Sequence, residues 1–252
     1  MIWSYGVTTI QQRRDTLLPK TLASLRAGGF EQPWLFVDGI THSEAMHWEE
    51  RFACPVTVRR PPPIRTYGNW CLALGELYLR TPKADRYAMF QDDFVTYTNL
   101  RQYLEACVLN EKTYWNLYTF PINHQGIAGV SGWHPSPTQQ GFGAVALVFS
   151  RAGVIDLLAN KYMAERPLDV HRGHKSLDGG IIEALKPLGY KEYVHNPSLV
   201  QHTGMMSSID KRRNTLKDCA NFPTYKWNEA TLAPSFRGES FDAMSLLHAT
   251  PA

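Results

Sequence analysis

"YAMFQDDFV", residues 87–95, ends an apolar run in two adjacent acids, Asp92 and Asp93. The run, "RYAMF" (86–90), has the length and unbroken apolar character of a strand buried on both faces. Adjacent carboxylates repel each other and resist loss of water, so they suit the mouth of a sheet and not its interior. The segments upstream say which kind of sheet. "IWSYGVTTI" (2–10) reads as a strand, and "RDTLLPKTLASLRAGG" as a helix with Leu17, Leu18, Leu22 and Leu25 on one face and Gly28-Gly29 as its stop. "PWLFVDG" (33–39) is a strand ending in Asp38, and Thr41 with Glu44 forms a capping box for a helix through about Phe52. "CPVTVRR" (54–60) is a third strand, "TYGNWCLALGELYLR" (66–80) a helix, and 86–90 the fourth strand.

This β-α-β-α-β-α-β order predicts an α/β fold: a mixed, mostly parallel, Rossmann-like sheet with helices on both faces. Ligands bind such sheets beyond the carboxyl ends of the strands. Thr8-Thr9, Asp38 and Asp92-Asp93 all fall there, so three polar sites converge on one edge. The later chain is less regular. Helices are expected over 98–110, from Arg151 to about Asn160, and in "LDGGIIEAL"; strands over 114–120 and 143–150; and a long loop from Pro121 to Gln140. The expectation is one domain over 1–252, with a nucleotide-binding half (1–95) and an acceptor-binding half with a tail (96–252).

Bulk properties exclude several classes. Hydrophobic residues are 44% and charged residues 19% of 252, an ordinary globular mix with enough chain to bury a core. A net charge of +3 permits an anionic ligand without demanding one, and Arg59-Arg60 and Lys211-Arg212-Arg213 read as solvated faces before binding patches. Cys54, Cys71, Cys107 and Cys219 form no CxxC pair, which fits reduced thiols in a cytoplasmic protein. No basic leader precedes an apolar core, and no apolar run approaches 18 residues.

Adjacent carboxylates at a strand end suit a hard divalent cation, Mg²⁺ or Mn²⁺, which leaves positions for water and substrate phosphates. The plainer role is to cap the helix that follows. The ordered set of segments over 2–95 favours the cation. "QDDF" after an apolar strand resembles the Asp-x-Asp region of the GT-A fold, nucleotide-sugar-dependent glycosyltransferases (family 2-like). "VTTIQQRR", "LFVDG" and "RTYGNWCLAL" resemble their first strand and loop, second strand and Asn-bearing helix. The chain departs from the Glu-Asp-Asp form of the motif in having Gln91.

The resemblance implies that Asp93 holds the metal, with Asp92 or Gln91 facing the ribose or sugar. Asp38 would meet the nucleobase, and Thr8, Thr9, Arg13, Arg65 and Asn69 would lie along the nucleotide. "SLDGGIIEAL" resembles the helix whose leading acid, here Asp178, is the general base of inverting members; helix capping is the alternative role. "PSLVQHTG" resembles the segment in which a His, here His202, adds a metal ligand or touches the diphosphate, with Ser207 and Ser208 near phosphate oxygens. His171 and His174 read as a polar lid or acceptor contact.

The implied function is metal-dependent, inverting transfer of a sugar from a nucleotide-sugar, a UDP-sugar by expectation, to a hydroxyl. The acceptor is a glycan, a protein, a small molecule or a modified nucleic acid such as a hydroxymethylated base in DNA, which would need flipping or a single strand. A nucleotidyltransferase would share the sheet and the carboxylates, but "GVTTIQQRRD" lacks a Gly-rich phosphate loop. A nucleotide-sugar-binding module without catalysis is the third reading, and Gln91 is its support.

Overall fold

The computed structural model describes residues 1–164, 177–204 and 232–248. His171, His174, Ser207, Ser208, Lys211-Arg212-Arg213 and Cys219 lie outside them. Strands β1 (Trp3–Ile10), β2 (Trp34–Asp38), β3 (Val56–Arg59) and β4 (Arg86–Gln91) alternate with helices α1 (Leu17–Ala27), α2 (His42–Phe52) and α3 (Arg65–Arg80). β5 (Phe94–Thr96) and α4 (Leu100–Ala106) follow, then β6 (Thr113–Asn116), α5 (Pro121–Ile127), β7 (Gly132–Pro135), β8 (Ala146–Ser150), α6 (Arg151–Leu158), α7 (Lys161–Ala164), α8 (Leu177–Leu185), β9 (Lys191–Asn196) and β10 (Val200–His202). Among the described residues the main sheet has the order β3-β2-β1-β4-β8-β6-β9-β7, and β5 and β10 form a separate two-stranded ribbon.

β1 to β4 pair in parallel, β8 runs antiparallel between β4 and β6, and β9 lies parallel to β6. The sheet is therefore mixed and mostly parallel, and both halves of the chain contribute strands to it. Alternation along a strand sends successive side chains to opposite faces. In β4, Ala88 and Phe90 enter the core under α1, α2 and α4, whereas Tyr87 and Met89 enter the core under α3, α6 and α8. Burial on both sides explains why these strands read as continuous apolar runs. In α3, Tyr67, Trp70, Leu74 and Leu77 recur at helical spacing and form its buried stripe. The expected capping box is present, with the Thr41 N–H donating to Glu44 Oε2 at 2.7 Å.

Several boundaries differ from expectation. The segment 121–140 is not a continuous loop, since it holds α5 and β7. Pro121 at the first turn of α5 has its backbone angle preset for a helix start. β7 is recruited by pairing with β9, and Trp133 stacks on Trp115 at 4.5 Å. Helix α4 and strand β6 are shorter than 98–110 and 114–120. Arg59 is buried, pairs with Glu76 at 2.7 Å and lies over the Phe36 ring, so it is no solvated face. Among the described residues Cys54, Cys71 and Cys107 form no disulfide. No helix among the described residues is long and apolar enough to cross a membrane.

The closest fit between the first two strands sets a stability prediction. A Cβ on Gly6 of β1 would fall 2.4 Å from the Phe36 ring and 2.9 Å from the Trp34 carbonyl, and the carbonyl belongs to the paired strand. Gly6→Ala is expected to destabilise the fold by about 1–3 kcal/mol through overpacking. A urea titration should show a lower midpoint at unchanged m; an unmoved midpoint would mean that β2 yields at no cost.

Candidate active site at the carboxyl edge of the sheet

Asp92 and Asp93 directly follow β4, and both are buried. The parallel register pairs Thr8 with Gln91, which brings the exit of β1 against the acids. The Thr9 hydroxyl donates to Asp92 Oδ2 at 2.5 Å, and the Thr8 hydroxyl to the Phe90 carbonyl at 3.3 Å. Arg13, in the 3-10 turn after β1, places Nη1 2.5 Å from Asp92 Oδ1 and 2.6 Å from Asp93 Oδ2. The β5–β10 ribbon pairs Phe94 with His202, which sets His202 Nε2 3.2 Å from Asp93 Oδ2. Among the described residues, Asp93 Oδ1 and His202 Nδ1 are buried without a partner.

Burial pushes the Asp92 carboxyl up, against the pull of Arg13. Burial would raise Asp93 as well, but His202 and Arg13 together hold it well below the usual carboxylate range. The site thus contains one carboxylate with both oxygens engaged and one that stays charged with an oxygen unused.

Asp178 approaches from α8. Its Oδ2 accepts from the Gly143 N–H at 2.9 Å, across from another segment, so it is not simply an N-cap of its own helix. Burial raises its pKa, while the backbone N–H groups and His202 oppose that rise. Gly143 adopts φ +76, and a Cβ there would lie 2.3 Å from the Tyr118 ring. The Tyr118 ring stands 6.3 Å from that of His202. Asp178, Gly143, Tyr118, His202 and Asp93 therefore form one continuous wall.

Other expected contacts are occupied by the protein itself. Asp38 Oδ1 and Oδ2 accept from the N–H groups of Ile64 and Arg65 at 2.9 and 2.6 Å, which fixes the entry to α3. Arg65 is exposed and has φ +67. Asn69 Nδ2 donates to the Phe36 carbonyl at 2.8 Å and ties α3 to β2, while its Oδ1 is buried without a partner among the described residues. Gln91 Nε2 donates to the Ala144 carbonyl at 2.8 Å and anchors the loop that leads into β8.

A second polar cluster, centred on Glu192, escaped the sequence reading. Glu192 is fully buried in β9, and Asn116 Nδ2 donates to Glu192 Oε1 at 3.0 Å and to the Phe142 carbonyl at 2.9 Å. Gln139 holds the Glu192 backbone through both its N–H and its C=O. These bonds support the loop that carries Gly143 and hence the partner of Asp178. The alternation of β9, "KEYVHN", put Glu192 on the inner face, which was the available signal.

The fold that these elements build is the GT-A fold: a Rossmann-like, mixed sheet with an acid pair beyond the fourth strand. A solved structure of GalNAc-T7 with UDP, GalNAc and Mn²⁺ matches it with a TM-score of 0.54 at 9% identity, over 81% of this chain and 44% of that one. The protein thus spans less than half the length of that chain. The mannosyltransferase PcManGT from Pyrobaculum calidifontis, in complex with GDP-Man and Mn²⁺, aligns with a TM-score of 0.49 at 12% identity, over 75% of this chain and 53% of that one. A nucleotidyl transferase from Methanothermobacter thermautotroptrophicus aligns with a TM-score of 0.49 at 15% identity, over 77% and 86%. No family model and no curated protein sequence matches the chain.

The Glu192 cluster generates a pH prediction. Burial pushes the Glu192 carboxyl up from 4.5 to about 7. A carboxyl whose native pKa lies above its unfolded value binds more protons folded than unfolded between the two. Its contribution to stability is full below the unfolded value and falls as pH rises through about 7. Glu192→Gln should remove that slope. The variant should gain on the wild type between about pH 5 and pH 8, by at most on the order of 3 kcal/mol. Urea unfolding across that range measures it, and a pH-independent difference between the two proteins would place the titration elsewhere.

Proposed function

We propose that the protein is a metal-dependent, inverting glycosyltransferase that moves a sugar from a nucleotide-sugar, a UDP-sugar by preference, to a hydroxyl acceptor. The observation that carries this reading is the buried Asp92–Asp93 pair beyond β4 in a GT-A fold, with His202 beside it and Asp178 across the same wall. The residues fit a divalent cation. Among the described residues no three His, Cys, Asp or Glu side chains gather into a cage. Mg²⁺ and Mn²⁺ at phosphate sites need only one or two protein ligands and take the rest from water and substrate. Asp93, with its unpartnered Oδ1, and His202 supply an oxygen and a nitrogen suited to Mn²⁺.

When bound, the metal supplies Lewis-acid stabilisation of the charge that develops on the leaving diphosphate. The chain does the rest. Thr9 and Arg13 hold Asp92 in place. Asp38 and Arg65 present the turn before α3 to the nucleobase and ribose, since each Asp38 oxygen keeps a second lone pair after accepting from Ile64 and Arg65. Thr8, Asn69 and Gln91 fix the strand, helix and loop that border the donor; Ser207 belongs to this reading as a phosphate contact outside the described residues. Asp178 takes the proton of the acceptor hydroxyl as that oxygen attacks the anomeric carbon. A single base on the far face implies one displacement and inversion. The acceptor is a glycan or a modified nucleic acid. Steep loss of acceptor binding with added salt marks the latter.

A binding module without catalysis is favoured by one observation: Gln91 stands where an acid is expected and turns to the Ala144 carbonyl. Incubation with UDP-sugars and Mn²⁺ separates the two, because an active site slowly hydrolyses the donor without acceptor and a pure binder does not.

Two variants test the roles. Asp93→Ala should abolish transfer and the Mn²⁺-dependent part of UDP binding in calorimetry. Full activity in EDTA together with an active Asp93→Ala would remove the metal site. Asp178→Asn should lower turnover by roughly 10²-fold or more while the donor Kd stays put, since Asn keeps an oxygen for the Gly143 N–H. Near-wild-type turnover, or a product whose anomeric coupling constant shows retention, would take Asp178 out of the mechanism.

A further inference from the structure

The acid pair is closed by a cation that belongs to the chain. One guanidinium nitrogen, Arg13 Nη1, bridges Asp92 Oδ1 at 2.5 Å and Asp93 Oδ2 at 2.6 Å. The two acids share it unequally. Asp92 has its other oxygen taken by Thr9, so it is engaged on both sides. Among the described residues Asp93 meets Arg13 and His202 through Oδ2, and Oδ1 has no partner. The Arg13 side chain is 14% exposed against 5% and 6% for the acids, so it is the most exposed member of the trio. A dication arriving at Asp93 meets a positive charge already on that carboxylate, and the two cations repel at such distances.

We propose that Arg13 is an exchangeable counter-ion: it neutralises the acid pair when no divalent cation is bound, and the cation enters by taking Asp93 from it while Arg13 stays on Asp92. The exchange rests on the reading of Asp93 as a metal ligand. It goes beyond that reading, because it makes the affinity for the metal a property that Arg13 sets. Asp92 then serves as the anchor that keeps Arg13 within reach of the site.

The test is Mn²⁺ binding to the full chain without donor, read from the electron paramagnetic resonance signal of free Mn²⁺. Arg13→Met keeps the aliphatic stem and removes the charge. It should bind Mn²⁺ at least tenfold tighter than the wild type. It should also melt lower than the wild type without metal and recover with Mn²⁺, since an uncompensated buried acid pair gains most from a new cation. Arg13→Lys, a single ammonium that cannot match the planar fork, should fall between the two. If Arg13→Met does not fold without metal, Arg13→Lys carries the comparison, and tighter binding is again the expected result. Equal or weaker Mn²⁺ affinity in the folded variants, against measurable binding by the wild type, overturns the exchange and leaves the metal site standing. Absence of Mn²⁺ binding by wild type and variants alike overturns both. Binding by Arg13→Met where the wild type shows none supports the exchange in its strongest form.

Discussion

Two neighbouring carboxylates buried together need a compensating charge, and the contact of Arg13 with Asp92 and Asp93 supplies it. Removing one partner of a buried ion pair typically costs about 3–5 kcal/mol, against a net stability of about 5–15 kcal/mol for a whole domain. A site of this kind persists only if its neutralising partner is placed by the fold. Here that placement comes from the sheet order. β1 lies beside β4 in parallel, so the turn leaving β1 and the acids leaving β4 emerge on the same edge and at the same height. The α/β alternation is thus a condition for the site and not only a scaffold around it.

The other wall depends on a reversal of direction. β8 runs antiparallel beside β4, so the residues that enter β8 arrive where β4 ends. This is why Gln91 meets Ala144, and why Gly143 can offer its N–H to Asp178. The β5–β10 ribbon makes a similar return for His202. Four segments far apart in sequence therefore meet at one edge, each brought there by backbone pairing. The side chains that meet were selected by register: a slip of one residue in the ribbon would turn His202 away from Asp93.

The first half of the chain was legible because each element carried its own local signal: apolar runs for β1, β2 and β4, the Thr41–Glu44 cap for α2, and the stripe of Tyr67, Trp70, Leu74 and Leu77 for α3. The acids stood out because they broke such a run. α5 and β7 were not legible, since Gly- and Pro-rich composition suggests a loop, and only pairing with β9 and the stack of Trp133 on Trp115 make a strand of Gly132–Pro135. The bridging role of Arg13 was hidden for the same reason. Sequence placed it in the loop after β1, but its engagement of both acids follows from the lateral order of the strands. His195 shows the converse: it is a core residue, burial lowers its pKa to about 4, and it is held between the Tyr103 hydroxyl and the Pro197 carbonyl.

Asp178 and Glu192 are two buried acids on either side of one loop, and they meet different hydrogen-bond donors. Asp178 is met by the N–H groups of Gly143 and Ala144, which favour a charged carboxylate. Glu192 accepts from Asn116, a neutral amide, and Ser136 and the Gly141 backbone also favour its charged form. Burial outweighs these contacts and pushes the Glu192 carboxyl up to about 7. Burial raises both carboxyls, and what differs between them is the set of groups they face. The role proposed for Asp178 is to receive a proton. Glu192, with Asn116 and Gln139, keeps the loop at a height where the Gly143 N–H can hold Asp178 toward the wall shared with His202. The role proposed for Asp178 therefore depends on a loop that is itself held by a second buried acid and its amide partner.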